Sequence, residues 1–253
     1  MKFRTAIFTA IFAFCGLCLS VFAGPEPIPT ESKEMKDVAP ARAPACNWTG
    51  FYIGANAGGQ FGHSEDKTAG FGYNADNQEW GYRESGFAGG GQIGFNWQWH
   101  RLVLGPEFDV GFMNLNGGGV QPGSPGGDTR GESSSDLFTT LRGRAGIALD
   151  RWLVYATGDA IGVNYDKRVL DDVNTAPAGG SLVDAHDKDF DWGYTVGGGV
   201  ERMLGAHWSI KVEYLYFDLG SQGFSGVTNL GNRYDWSGET AGHIIRGGLN
   251  YHF

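Results

Sequence analysis

The chain has 253 residues, of which 43 are glycine, and its 28 acidic and 19 basic side chains leave a net charge of -9. That acidity argues against a nucleic-acid partner, because binding to phosphates needs neutralising cations. Glycine far above its usual share of about 7%, abundant aromatics and few helix-forming runs suggest a barrel of many short strands, and past the first residues no run of about 18 apolar residues offers a transmembrane helix.

Lys2 and Arg4 make a basic start, Ala6 to Phe22 is an apolar run, and Val21-Phe22-Ala23 suits a signal peptidase. Residues 1–23 are therefore expected to be a signal peptide cleaved after Ala23. Cys15 and Cys18 lack the Leu-small-small lead of a lipoprotein, so no lipid attachment is expected. Cleavage would leave Cys46 as a single thiol, with no intramolecular disulfide possible. Residues 24–46 carry five prolines among Glu, Lys and Ala without apolar periodicity, which reads as a periplasmic linker.

From Asn47 onward the chain alternates. Phe51, Ile53, Ala55, Ala57 and Phe61 share one phase of a first strand, and Tyr52, Asn56 and Gln60 share the other. A period of two is a strand with two different faces. The second strand, Gly86 to Trp99, sets Ile93, Phe95, Trp97 and Trp99 against Gln92, Asn96 and Gln98, and His100-Arg101 reverses the chain. The third, Leu102 to Leu115, sets Leu104, Phe108, Val110 and Phe112 against Glu107 and Asp109. Pro106 removes a ladder donor, so a local irregularity is expected there.

The fourth strand, Asp136 to Leu149, opposes Leu141, Ala145 and Ile147 to Thr140, Arg142 and Arg144, and Asp150-Arg151 turns the chain. The fifth, Trp152 to Tyr165, has an ambiguous phase. If Thr157 and Asp159 face inward, Trp152, Val154, Ala156 and Ala160 face out. The sixth, Phe190 to Met203, opposes Trp192, Tyr194, Val196 and Val200 to Thr195 and Glu201. The seventh, Trp208 to Asp218, opposes Ile210, Val212, Tyr214 and Tyr216 to Lys211 and Glu213. In the eighth, Gly242 to Phe253, Ile245, Leu249, Tyr251 and Phe253 share a phase against Arg246, Asn250 and His252.

Eight strands, each long enough to cross a thin hydrocarbon layer at about 9–11 tilted residues, are joined alternately by tight turns and by segments far above hairpin length. That asymmetry belongs to an eight-stranded antiparallel transmembrane β-barrel, with short periplasmic turns and four long extracellular loops over residues 47–253. A soluble lipocalin-like barrel would need a wet outer face. Here the outward phase carries Trp97, Trp99, Trp192 and Trp208 near strand ends, where interfacial aromatics sit.

The segments N-W-T-G-F-Y-I-G-A-N-A-G, G-P-E-F-D-V-G-F, L-R-G-R-A-G, W-L-V-Y-A-T-G, V-E-Y-L-Y-F-D-L-G and I-R-G-G-L-N-Y-H-F resemble those of the Omp25/Omp31-type proteins of the OmpA-like small-barrel superfamily. The resemblance runs from about Asn47 to Phe253, whereas the loops match no known pattern. It implies an outer-membrane location with lipid and lipopolysaccharide as surroundings. The terminal Phe253, with Tyr251 before it, is similar to the signal read by the outer-membrane assembly machinery. Some relatives are described as haem binders, which directs attention to His63 and His186 in two of the expected loops.

The inward phase collects four acids, Glu107, Asp109, Glu201 and Glu213, and four bases, Arg142, Arg144, Lys211 and Arg246. Each lies about four to eight residues up its strand from a turn or from the carboxyl end, so they should meet at similar depth. An eight-stranded barrel is just wide enough for side chains to fill, and unpaired charges inside would be costly. A structural ion network that plugs the lumen is the expectation, with a proton or ion path as the alternative. No histidine pair has zinc-like spacing. The acidic stretch Asp184-Ala-His-Asp-Lys-Asp, expected as loop, lacks the glycine-hinged pattern of a calcium site. Ser181, His186 and Asp187 share that expected loop without further sign of a catalytic set. Neither a cofactor nor an enzymatic activity is expected. The role expected is structural, with a narrow porin, or an adhesin or haem receptor binding a host or small ligand at the loops, as alternatives.

Overall fold

The computed structural model describes residues 46–69, 78–122, 129–171 and 182–253, the side chains of Ala69 and Leu115 excepted. The expected signal peptide and most of the linker lie outside them. Among the described residues are eight strands: β1 (Gly50–Ala69), β2 (Glu79–Trp99), β3 (Leu102–Val120), β4 (Thr129–Leu149), β5 (Trp152–Asp171), β6 (Asp184–Met203), β7 (Trp208–Val227) and β8 (Arg233–His252). They pair in sequence order, antiparallel throughout, and β8 closes on β1 to make a barrel. The ring closes at Tyr52↔His252 and Ile53↔Tyr251, and the last amide, Phe253 N–H, donates to the Phe51 carbonyl at 3.0 Å.

Alternation decides which way each side chain points. Phe51, Ile53 and Phe61 of β1, Trp97 and Trp99 of β2, Leu104, Phe108, Val110 and Phe112 of β3 and Ile210, Val212 and Tyr214 of β7 are all exposed on the outer wall. So are Ile245 and Leu249 of β8. An apolar belt that encircles a barrel exceeds by far any patch a soluble monomer leaves bare. Water would not tolerate it, and hydrocarbon would. The phase of β5 is settled as well: Leu153, Tyr155 and Thr157 are buried inside, while Trp152 and Val154 are exposed outside.

The short turns fall where the sequence places them. His100 and Asp150 begin them with φ of 57° and 53°, the left-handed region that Asp and His tolerate better than most residues. At Pro106 the strand does not bulge. The β2–β3 ladder holds one register from Gly94↔Glu107 to Trp97↔Leu104 and lapses between them, opposite Gly105 and Pro106. The register shifts of the barrel come higher, at Phe112/Leu115, Ser135/Phe138 and Asp218/Ser221.

One expectation needs correction. The segments read as long loops are largely strand. Every strand runs for 19 to 21 residues, about twice what a bilayer requires. Each hairpin therefore continues as a polar ladder beyond the apolar belt. In β1 the outward residues change from Phe61 to His63, Glu65 and Lys67 at that level. The acidic stretch from Asp184 is the start of β6, not loop.

Candidate functional site

The barrel interior is stacked in layers. At the turn end Trp48, just ahead of β1, folds into the mouth and is fully buried with Val103, Ala148, Leu153, Tyr155 and Met203. Its backbone N–H donates to Gln98 Oε1 at 2.7 Å.

Above this cluster lie the charges. The ladders place opposite signs side by side: Glu107↔Arg142, Glu201↔Lys211 and Glu213↔Arg246. Directly opposed, oppositely charged residues are favourable cross-strand pairs. Arg142 is the hub. Its Nη2 reaches both Glu107 Oε1 and, at 2.5 Å, Asp109 Oδ2, while Nη1 donates to Glu213 Oε2 at 2.9 Å. Arg246 holds Glu213 through Nε at 2.7 Å and Asp109 through Nη1 at 3.3 Å. Arg144 donates to Tyr52 Oη at 2.6 Å and Glu201 Oε2 at 2.6 Å, and lies 4.0 Å over the ring of Tyr155. Lys211 Nζ sits 3.2 Å from both Glu107 oxygens. All eight charged residues singled out in the sequence are buried and joined in one network. Arginine suits the task because its planar fork can serve several carboxylates at once.

Several members of this network lie outside the eight charged residues read from the sequence. Tyr52 and Tyr155 donate their hydroxyls to Glu107 at 2.7 Å and Glu213 at 3.0 Å. Their rings fit because Gly94 and Gly199 lie opposite. A Cβ at Gly94 would stand 2.3 Å from Tyr52 Oη, and one at Gly199 2.7 Å from Tyr155 Oη. Asp159 adds a fifth carboxylate 3.8 Å from Arg142 Nε. A neutral relay runs from Asn56 to Gln92 (2.6 Å), Gln92 to Asn250 (2.5 Å) and Asn250 to Glu201 (2.7 Å). His252, on the phase of Arg246 and Asn250, is buried at the turn end, 2.9 Å from Ser209 Oγ and 3.4 Å from Glu201 Oε1.

Over the ionic layer sits a second apolar cluster that includes Met113, Phe138, Val163, Leu215, Phe217 and Ile244. Above it Glu84 accepts from Ser64, Ser133 and Tyr165, and Lys167 reaches across the lumen to the Gly238 carbonyl at 3.1 Å. This polar layer lies beyond the apolar belt. Burial pushes the Asp66 carboxyl there up to about 6 and draws the Lys167 ammonium down. A third apolar cluster, with Trp80, Tyr82, Val169, Phe224 and Trp236, fills the hairpin end.

At the carboxyl end Tyr251 packs edge-on against Trp208 and Phe253, and Phe253 projects outward. His63 and His186 lie on strands β1 and β6, exposed. His186 and Asp187 are consecutive in β6 and so point to opposite faces, while Ser181 lies outside the described residues. Among the described residues no group of three or more His, Cys, Asp or Glu is placed to hold a metal ion.

Comparison with known proteins agrees with this architecture. A family model described as an outer membrane protein beta-barrel domain matches residues 38–253. Over 224 residues the chain is 35% identical to the 31 kDa outer-membrane immunogenic protein of Brucella melitensis, covering 85% of this chain and 88% of that one. It is 29% identical over 186 residues to the 22 kDa outer membrane protein of Rhizobium leguminosarum, covering 72% and 69%. The outer membrane protein OprG of Pseudomonas aeruginosa shares the fold, with a TM-score of 0.54 at 14% identity over 82% of this chain and 99% of that one. An apolar belt outside, charges inside, one end of tight turns and a matched family model lead to one conclusion: this chain belongs to the outer-membrane β-barrel protein family.

Proposed function

We propose that the protein is a closed structural element of the outer membrane. It anchors in the lipid, and its lumen is sealed by the ion network. It presents the four extended hairpins at the cell surface. The observation that carries this reading is the stack inside the barrel, in which side chains from different strands meet in successive layers. Arg142 of β4 touches carboxylates of β3 and β7 in one layer, and Phe138 and Phe217, from the same two sides, share the cluster above it. Eight strands leave little more room than such side chains occupy. A bore for solutes would need a column of water beside the charges, and they are instead within hydrogen-bonding distance of one another.

Planar-bilayer recording of the refolded chain tests this. The expected trace is flat, apart from rare transient events. Large, steady single-channel currents from the monomer would establish the narrow porin instead.

A further inference from the structure

Most strand pairs of the barrel stay hydrogen-bonded over nearly their whole length, but β6 and β7 do not. Their ladder ends at Tyr194↔Asp218, although β6 continues down in number to Asp184 and β7 up to Val227. The two strands meet again only at the hairpin end. There a Cβ on Gly226 would stand 2.3 Å from that of Ala185, and Asn229 N–H donates to the Leu182 carbonyl at 3.0 Å. Between these closures lies a window in the wall, about 20 Å long at ~3.3 Å per residue.

Two N–H groups of the window's rims are taken by nearby side chains, and the rest of the β6 edge has no ladder partner. Phe190 N–H donates to Asp189 Oδ1 at 3.0 Å, and Gly220 N–H to Asp218 Oδ1 at 2.8 Å. On the lumen-facing phase of β6, where other strands bury their side chains, Asp187 and Asp189 are exposed and Asp191 half-buried. On the outward phase stand Phe190 and Trp192, both exposed. At the height of the window, Gly238 of β8 pairs with Gln222 of the β7 rim. A Cβ at Gly238 would lie 2.5 Å from Asp66 Oδ1 and 2.8 Å from Lys167 Nζ. Asp66 is 2% exposed, its Oδ1 has no hydrogen-bond partner, and the Lys167 ammonium of β5 is the cation that acts on both Asp66 and Asp191. A buried carboxylate oxygen of this kind is expensive unless a donor reaches it.

We propose that this window is a docking site for a basic, extended polypeptide segment that adds to the free edge of β6. An open strand edge offers main-chain donors and acceptors to an incoming strand, and alternate side chains supply specificity. Here alternate cationic side chains would face Asp187, Asp189 and Asp191. The intervening apolar side chains would lie over Phe190 and Trp192. Charged residues on an edge can also serve only to prevent unwanted pairing, and the two roles give different results in one experiment. The inference does not depend on whether the lumen conducts.

The experiment uses the full exported chain, refolded in detergent micelles, and a labelled short peptide of alternating lysine and valine, followed by fluorescence anisotropy. The expected result is saturable binding. It should weaken about tenfold or more when Asp187→Asn, Asp189→Asn and Asp191→Asn are combined in a barrel that keeps its heat-modifiable gel mobility. It should weaken similarly when alternate backbone nitrogens of the peptide are methylated, which spares the charges and blocks strand pairing. Glu65→Gln with Glu79→Gln, on the far β1–β2 hairpin, should leave binding unchanged. No binding of the lysine–valine peptide would overturn the proposal and leave the aspartates as edge protection. Equal binding of the methylated peptide, or equal loss from the far-hairpin variant, would also overturn it, because charge alone would then account for the attraction.

Discussion

Arg142→Leu is expected to destabilise the barrel by about 3–5 kcal/mol, the usual cost of removing one partner from a buried ion cluster. The reason is specific to this hub. Glu107, Asp109 and Glu213 all reach the Arg142 guanidinium. Without it three carboxylates face one another in a buried layer, with Lys211, Arg144 and Arg246 left to balance them. Arg142→Lys should recover only part of the loss, because a single ammonium cannot fork between strands β3 and β7. Urea titration of the lipid-refolded chain, read by the heat-modifiable gel shift, measures both. A loss below about 1 kcal/mol for Arg142→Leu would mean that the cluster is hydrated like a surface salt bridge.

The second large effect is at the turn end. Trp48→Ala is expected to cost about 3–5 kcal/mol, as for other buried tryptophans. It empties the mouth of the barrel, where Trp48 is packed with Leu153, Tyr155 and Met203 and abuts the ring of His252. Phe51→Ala, three residues on, should cost much less. Phe51 is 59% exposed on the outer wall, and lipid chains can refill the space. The same urea titration compares the two. Trp48→Ala should still give a silent bilayer if, as proposed, the ionic layer closes the lumen above it. Equal costs for the two variants would show that the mouth is not packed.

How much of this was legible in the sequence follows from where hydropathy contrast is strong. Within the belt, Leu104, Phe108 and Val110 against Glu107 and Asp109 leave no doubt about phase, and the eight charged residues follow from it. The contrast then disappears. In Ser64-Glu65-Asp66-Lys67-Thr68 both faces are polar, so nothing distinguishes a ladder from a loop, yet Ser64 to Lys67 pair in register with both β2 and β8, and Thr68 pairs with β8. Strand β5 was ambiguous for a related reason. Tyr155 and Leu153 point inward although both look like lipid-facing residues, because the lumen holds apolar clusters as well as charges. The tyrosines of the ionic layer depend on Gly94 and Gly199 in neighbouring strands, a complementarity that only the register reveals. The window between β6 and β7 has no sequence signal beyond its acidic row, since it is an absence of pairing.

The central claim is that apolar side chains face lipid while charged residues and packed clusters face the interior. The most direct test is quenching by brominated phospholipids in single-tryptophan versions of the chain. Trp97, Trp99 and Trp208 stand outward near the turn end, and Trp48 stands inside at the same end. Strong quenching of the first three, with Trp48 protected, is the result expected. Quenching of Trp48 while Trp97 and Trp208 are spared would mean that the wall is turned inside out, and the account would fail.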